Sequence, residues 1–117
     1  MMKLWKLAFF LAIGAIAVPS TSNAASPENT LFLDQKDGRV VIEMLPAVAP
    51  VHAARIKELV RTGFYDGLTF HRVIDGFMVQ TGDPMGDGTG GSGKKLKAEF
   101  NDTPPVRAVA SMARSTN

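Results

Sequence analysis

The sequence predicts a mainly β domain, a small barrel or sheet with one covering helix, carried behind a short apolar leader. Runs of strand-forming residues recur between turn dipeptides, and only one stretch places its apolar residues at helical spacing. The chain has 117 residues, enough for one domain with a single core.

The leader opens with Lys3 and Lys6 and continues as an uncharged apolar run from Leu7 to Val18. That run is shorter than the roughly 20 residues a spanning helix needs. Polar residues from Pro19 to Asn23 follow, and small Ser22 and Ala24 occupy the positions a signal peptidase reads. The layout predicts a signal peptide over 1–24, cleavage before Ala25, a domain over 25–117, and export to the periplasm without stable membrane association afterwards. A retained N-terminal anchor is the alternative, and it too places the domain outside the cytoplasm.

Net charge is +2, from 13 Lys and Arg against 11 Asp and Glu. Lys3 and Lys6 leave with the leader, so the mature chain is formally neutral and gives no electrostatic footprint for nucleic acid. There is no cysteine and there are only two histidines, so no disulfide framework, thiolate metal site or histidine cluster is expected. No cofactor is called for.

Thr30–Asp34 and Arg39–Leu45 read as strands of a hairpin around Gln35-Lys36-Asp37-Gly38. Pro46 and Pro50 break the strand, and Pro50 suits a first helical turn, where its missing N–H costs little. Ala53, Ile56, Leu59 and Val60 then recur at helical spacing, with Gly63 suited to the C-terminal end. A second hairpin is expected between Leu68 and Thr81 around Asp75-Gly76. Gly82–Gly93 is a glycine-dense loop. Short strands are expected within Lys94–Asn101, through Leu96, Ala98 and Phe100, and over Val106–Ala113.

The segment from Tyr65 to Asp83 contains Phe70-His-Arg72, Gly76-Phe-Met78, Gln80 and Gly82-Asp83. It is followed by Gly86-Asp-Gly-Thr-Gly-Gly91, Ala98-Glu-Phe100 and Ser111-Met-Ala113. These blocks, in this order, resemble the cyclophilin family of peptidyl-prolyl cis-trans isomerases. The resemblance implies a cyclophilin-like β-barrel with a covering helix, incomplete here because the family's C-terminal strands have no counterpart before Asn117. Half of the proline slot, including a second groove glutamine and phenylalanine, is expected to be missing with them.

The resemblance also implies the site. Arg72 is the catalytic residue, Phe77 and Met78 hold the proline ring, and Gln80 grips the flanking backbone. Gly88 and Thr89 form a rim of the groove, and Ala113, Arg114 and Ser115 line it. Asp75, Thr81 and Arg114 are departures from the commonest family residues. The partners implied are proline-containing peptides and folding exported proteins.

Taken singly, each residue has a plainer explanation: Arg72 and Gln80 as solvated strand positions, Phe77 and Met78 as core. His71 falls on the opposite strand face from Arg72 and reads as a hydrogen-bonded core histidine. Strand parity adds a register test. A two-residue turn at Asp75-Gly76 pairs Arg72 with Val79, whereas a three-residue loop over Asp75–Phe77 pairs Ile74 with Met78 and Arg72 with Gln80, and only the second gathers the groove residues.

Two other functions compete. One is a non-catalytic, chaperone-like peptide binder. The other is nucleotide binding through Gly88-Thr-Gly-Gly-Ser-Gly-Lys94, which requires a helix after the loop and a Ser or Thr where Lys95 stands.

Overall fold

A computed structural model describes residues 25–114; the signal peptide expected over 1–24, and Ser115, lie outside the described residues. After a 3-10 turn at Pro27–Asn29 come β1 (Thr30–Gln35) and β2 (Gly38–Glu43), then α1 (Pro50–Arg61), then β3 (Arg72–Ile74) and β4 (Met78–Gln80).

β1 and β2 form an antiparallel hairpin that closes through Lys36-Asp37, with Gln35 opposite Gly38 and Thr30 opposite Glu43. Alternation separates its faces. Leu31, Leu33 and Ile42 are half-buried on one side. On the other, Phe32 and Val41 are both 60% exposed, and Asp34 faces Arg39. The Arg39 guanidinium donates to both Asp34 carboxylate oxygens at 2.6 and 3.0 Å and lies 4.6 Å above the Phe32 ring. The outer face is thus organised by a cross-strand ion pair and a cation–π contact rather than by burial.

The helix raises an accounting problem at its start. Its N-cap is Ala49, which has no side-chain oxygen to offer, and Pro50 has no N–H to satisfy. The next two amides, of Val51 and His52, each donate to the Glu99 carboxylate at 3.0 Å. Ala53 N–H then makes the first intrahelical bond, to Ala49. The cap therefore comes from 47 residues further along the chain, and every early amide is met.

At the other end Gly63 N–H bonds Val60 C=O and Phe64 N–H bonds Leu59 C=O, the paired bonds of a Schellman motif. Glu28 draws the 3-10 turn onto the helix flank, accepting from Arg61 at 2.7 Å and lying 3.3 Å from Lys57. Inward-facing Ala53 and Leu59 are the apolar side chains buried among the described residues, at 7% and 8% exposure, while Val60 is 44% exposed. Ile56 is half-buried.

The mainly β expectation with a single α-helix is met, and the hairpins and helix stand where the sequence put them. The hairpins are separate two-stranded sheets among the described residues. One expectation is corrected: no strand forms within Lys94–Asn101 or Val106–Ala113. The reason is the absence of a neighbouring ladder: a strand exists only where its N–H and C=O groups find one. The second segment instead turns, with Val109 N–H bonded to Val106 C=O and Ala108 at φ 68°.

Replacing Leu59 by alanine is expected to cost about 2–3 kcal/mol, whereas Val60→Ala should stay within about 0.5 kcal/mol; urea unfolding measures both. Glu99 adds a pH dependence. Burial pushes its carboxyl up, but the His52 and Val51 amides and the His52 side chain outweigh burial and hold it below the ordinary value of 4.5. A depressed folded value means that the stabilisation is present above pH 4.5 and lost as pH falls through the folded value. The stability difference between the parent chain and Glu99→Gln, followed by urea midpoint, should therefore shrink as the solution is acidified through that range.

Candidate functional site

The β3–β4 hairpin is the centre of the candidate site. Arg72 is paired with Gln80, Val73 with Val79 and Ile74 with Met78, the register in which the three residues Asp75–Phe77 lie between the paired ends. Phe77 N–H bonds Ile74 C=O at 3.1 Å, and Gly76 has φ +69°. A tight turn with its third residue in the left-handed region is thereby followed by one unpaired residue, Phe77.

Arg72, Ile74, Met78 and Gln80 consequently share one face, and Val73 and Val79 share the other. The valine face is the more open, at 64% and 59% exposure, whereas Met78 and Gln80 are half-buried. Arg72 is exposed. Phe77, at the bulge, is 77% exposed, so the described residues do not enclose an apolar slot around it.

The glycine-rich loop lies beside this hairpin. A Cβ built on Gly88 would stand 3.9 Å from His71 Cδ2 and Nε2, and one on Gly86 would stand 3.4 Å from Thr69 Oγ1. Thr81 Oγ1 donates to Thr69 C=O at 2.8 Å, tying the end of β4 to the residues before β3. The loop thus meets the approach to Arg72. His71 was expected to be a hydrogen-bonded core histidine. Its Nδ1 is buried but has no hydrogen-bond partner among the described residues, so the expected hydrogen bond does not form there.

Thr89 donates its N–H and its hydroxyl to Asp87 Oδ1, at 2.9 and 2.6 Å. These bonds join a larger knot. Asp83 is 5% exposed, and its carboxylate accepts from the amides of Met85 at 2.8 Å, Asp87 at 3.2 Å and Gly88 at 2.6 Å. Burial pushes the Asp83 carboxyl up, but the amides of Met85, Gly88, Gly90 and Asp87 together hold it below the ordinary carboxylate value.

Ala113 and Arg114 are exposed. Arg114 stacks its guanidinium 5.2 Å from the Phe100 ring centre. The hairpin therefore sets Arg72, Met78 and Gln80 on one face, and the loop sets Gly88 beside His71; Thr89 is held by Asp87 and Arg114 by Phe100, while Phe77 and Ala113 are exposed. A separate groove of about 350 Å³ runs between α1 and Lys94–Leu96. It contains none of the expected site residues.

The phosphate-loop reading of Gly88–Lys94 requires a helix that would aim amides at the phosphate, and the chain runs from Lys94 to Arg114 without helix or strand. Among the described residues no group of three or more His, Cys, Asp or Glu is arranged to hold a metal.

Two residues of consequence lay unassigned in the sequence, Glu99 and Asp83. A helix opening on Ala49-Pro50 signals that a capping acceptor must come from elsewhere. An aspartate followed by a run of glycines signals an acceptor among many free amides.

The hairpin that sets Arg72 opposite Gln80 and the aspartate-pinned glycine loop beside it are built from the blocks that resemble the cyclophilin family. The chain belongs to that family: the family model described as cyclophilin type peptidyl-prolyl cis-trans isomerase/CLD matches residues 30–117. A Brucella suis protein named probable peptidyl-prolyl cis-trans isomerase is 50% identical over 119 residues, covering 92% of this chain and 59% of that protein. Peptidyl-prolyl cis-trans isomerase B of Bacillus subtilis is 42% identical over 82 residues, covering 70% and 57%. A Synechococcus elongatus peptidyl-prolyl cis-trans isomerase is 46% identical over 84 residues, covering 72% and 58%. The chain thus spans a little under three fifths of the length of these relatives.

Gly76 offers a clean test of the hairpin. No atom lies within 4 Å of a Cβ built there, so Gly76→Ala meets no steric obstacle and its cost is that of a left-handed backbone, about 1–2 kcal/mol. Amide exchange should show the Arg72–Gln80 ladder opening more readily in the variant while α1 is unchanged.

Proposed function

We propose that this domain catalyses rotation about X-Pro peptide bonds. The observation that carries the reading is the register that sets Arg72 across from Gln80 with Met78 on the same face. Rotation must break amide resonance, at a barrier of about 18–20 kcal/mol. As conjugation is lost the prolyl nitrogen gains a lone pair, and a fixed cationic donor beside it lowers the barrier because the charge it meets exists mainly in the twisted state.

Arg72 is that donor. Gln80 carries both an acceptor oxygen and amide donors, so it can hold the peptide backbone on one side of the bond. Met78 and Phe77 supply the apolar surface for the ring, Gly88 and Thr89 form a rim, and Ala113 and Arg114 are further groove lining. The reaction needs neither nucleophile nor cofactor.

The reading extends to architecture and place. The two hairpins are parts of a barrel in which further strands cover faces such as that of Val73 and Val79; their exposure and their unpaired edges support this. The domain acts in the periplasm on folding exported proteins after loss of residues 1–24, which the leader's basic, apolar and small-residue segments support.

The exposure of Phe77 favours a second reading, a peptide binder without turnover, because a ring held on one side gains less from the slot than an enclosed one.

In an assay of cis-trans isomerisation on a proline-containing peptide, Arg72→Ala should lower kcat/KM by about 10²-fold, the order expected for removal of one transition-state donor. Arg72→Lys should recover only part, since an ammonium lacks the planar fork. Equal turnover by the parent and Arg72→Ala would sink the proposal. Peptide binding without turnover by the parent would establish the second reading.

A further inference from the structure

We propose that Asp83 is the positioning residue of the substrate rim: its buried carboxylate shapes the Met85–Gly90 loop and so sets Gly88 and Thr89 where a bound peptide meets them. The inference rests on the isomerase reading above.

The loop has no ladder of its own. Gly86 N–H returns to the Asp83 backbone carbonyl at 3.1 Å, and the amides of Met85, Asp87 and Gly88 all converge on the Asp83 side chain. A carboxylate has two oxygens and room for about four donors, so these three amides take most of its capacity and fix three points of one short loop. Thr89 is attached to the same frame through Asp87, which accepts both its N–H and its hydroxyl.

The packing leaves no slack around this centre. A Cβ on Gly90 would overlap Asp83 Oδ1 and lie 2.8 Å from Met85 Cγ. The opposite side of the loop rests on His71 through Gly88, one residue before Arg72. The loop is therefore held from within by Asp83 and located from without by the strand that carries the donor. Asparagine cannot replace the carboxylate, because its amide nitrogen would point two further donors at backbone N–H groups that need an acceptor.

A positioning role separates from general stability in the kinetics. Asp83 touches neither the reacting bond nor Arg72, so its loss acts on substrate held by the rim. In the 117-residue chain, Asp83→Asn should raise KM for a proline-containing tetrapeptide about tenfold while kcat stays within about threefold. Amide exchange should quicken at Met85, Asp87 and Gly88 and remain parental in α1 and both hairpins. Gly90→Ala, which keeps the charge but intrudes on Asp83 Oδ1, should show the same split and gives a second route if the first variant fails to fold.

Parental KM and parental loop exchange in both variants would overturn the role of Asp83 and leave the isomerase reading standing. So would a fall in kcat at constant KM, or exchange that quickens uniformly through the domain, which marks a residue of general stability. A parent chain with no turnover at all would overturn the isomerase reading and this inference with it.

Discussion

The meeting of the Glu99 carboxylate with the first free amides of α1 is the contact on which the arrangement of the described residues turns. Ala49 and Pro50 begin a helix with neither a capping oxygen nor a first donor, and an early turn left unmet would expose two amides with no internal partner. Glu99 meets both, and places a carboxylate at the positive end of the helix dipole. His52 Nδ1, 2.6 Å from the same carboxylate, closes the contact. One side chain thus joins a helix to a segment that belongs to no regular element. Arg55 adds a second tie by donating to Ser92 C=O at 3.2 Å, and Lys94–Leu96, which lines the groove against α1, lies between the two ties along the chain.

The same physical rule governs the other end of the molecule's chemistry. Half of the twelve residues of Gly82–Gly93 are glycine, and glycine pays heavily in conformational entropy when ordered. Such a loop takes one shape only if its backbone groups are given specific partners. Asp83 provides them from the base of the loop and Asp87 from its middle. In both places a buried or half-buried carboxylate accepts backbone donors, and in both the donors outweigh the cost of taking the charge out of water. Order outside the hairpins and the helix rests on these acid-to-amide contacts more than on apolar burial, since among the described residues the buried apolar ones, Ala53 and Leu59, both lie in α1.

What could be read in the sequence divides along the same line. Local signals were legible: Pro50 and Gly63 bracket the helix, Asp37-Gly38 sits at the first hairpin's turn, and the requirement that Arg72 and Gln80 share a face picks one register out of two. Those features are fixed by residues a few positions apart. Glu99 and Asp83 were visible as parts of motifs but carried no assigned role, because a motif does not say which backbone group a carboxylate will reach. The strands expected at Leu96–Phe100 and Val106–Ala113 failed for a related reason. Alternation shows that a segment is able to line a sheet, and a ladder also needs a neighbour that the segment itself does not specify. The hydrogen bond expected of His71 was a statement about surroundings rather than about the strand, and Nδ1 has no partner among the described residues.

The remote origin of the helix cap has a bearing on the order in which the chain acquires structure. Ribosomes add about 5–20 residues per second, so the 38 positions between Arg61 and Glu99 separate the completed helix from its cap by about 2–8 s of synthesis. During that interval the Schellman end at Gly63 is already available, whereas the Val51 and His52 amides have only water. Until Glu99 arrives, the first turn of the 12-residue helix has no carboxylate to meet its amides. A nascent chain in that interval offers α1 to solvent with a loose leading turn, in the state that a chaperone or a protease meets first.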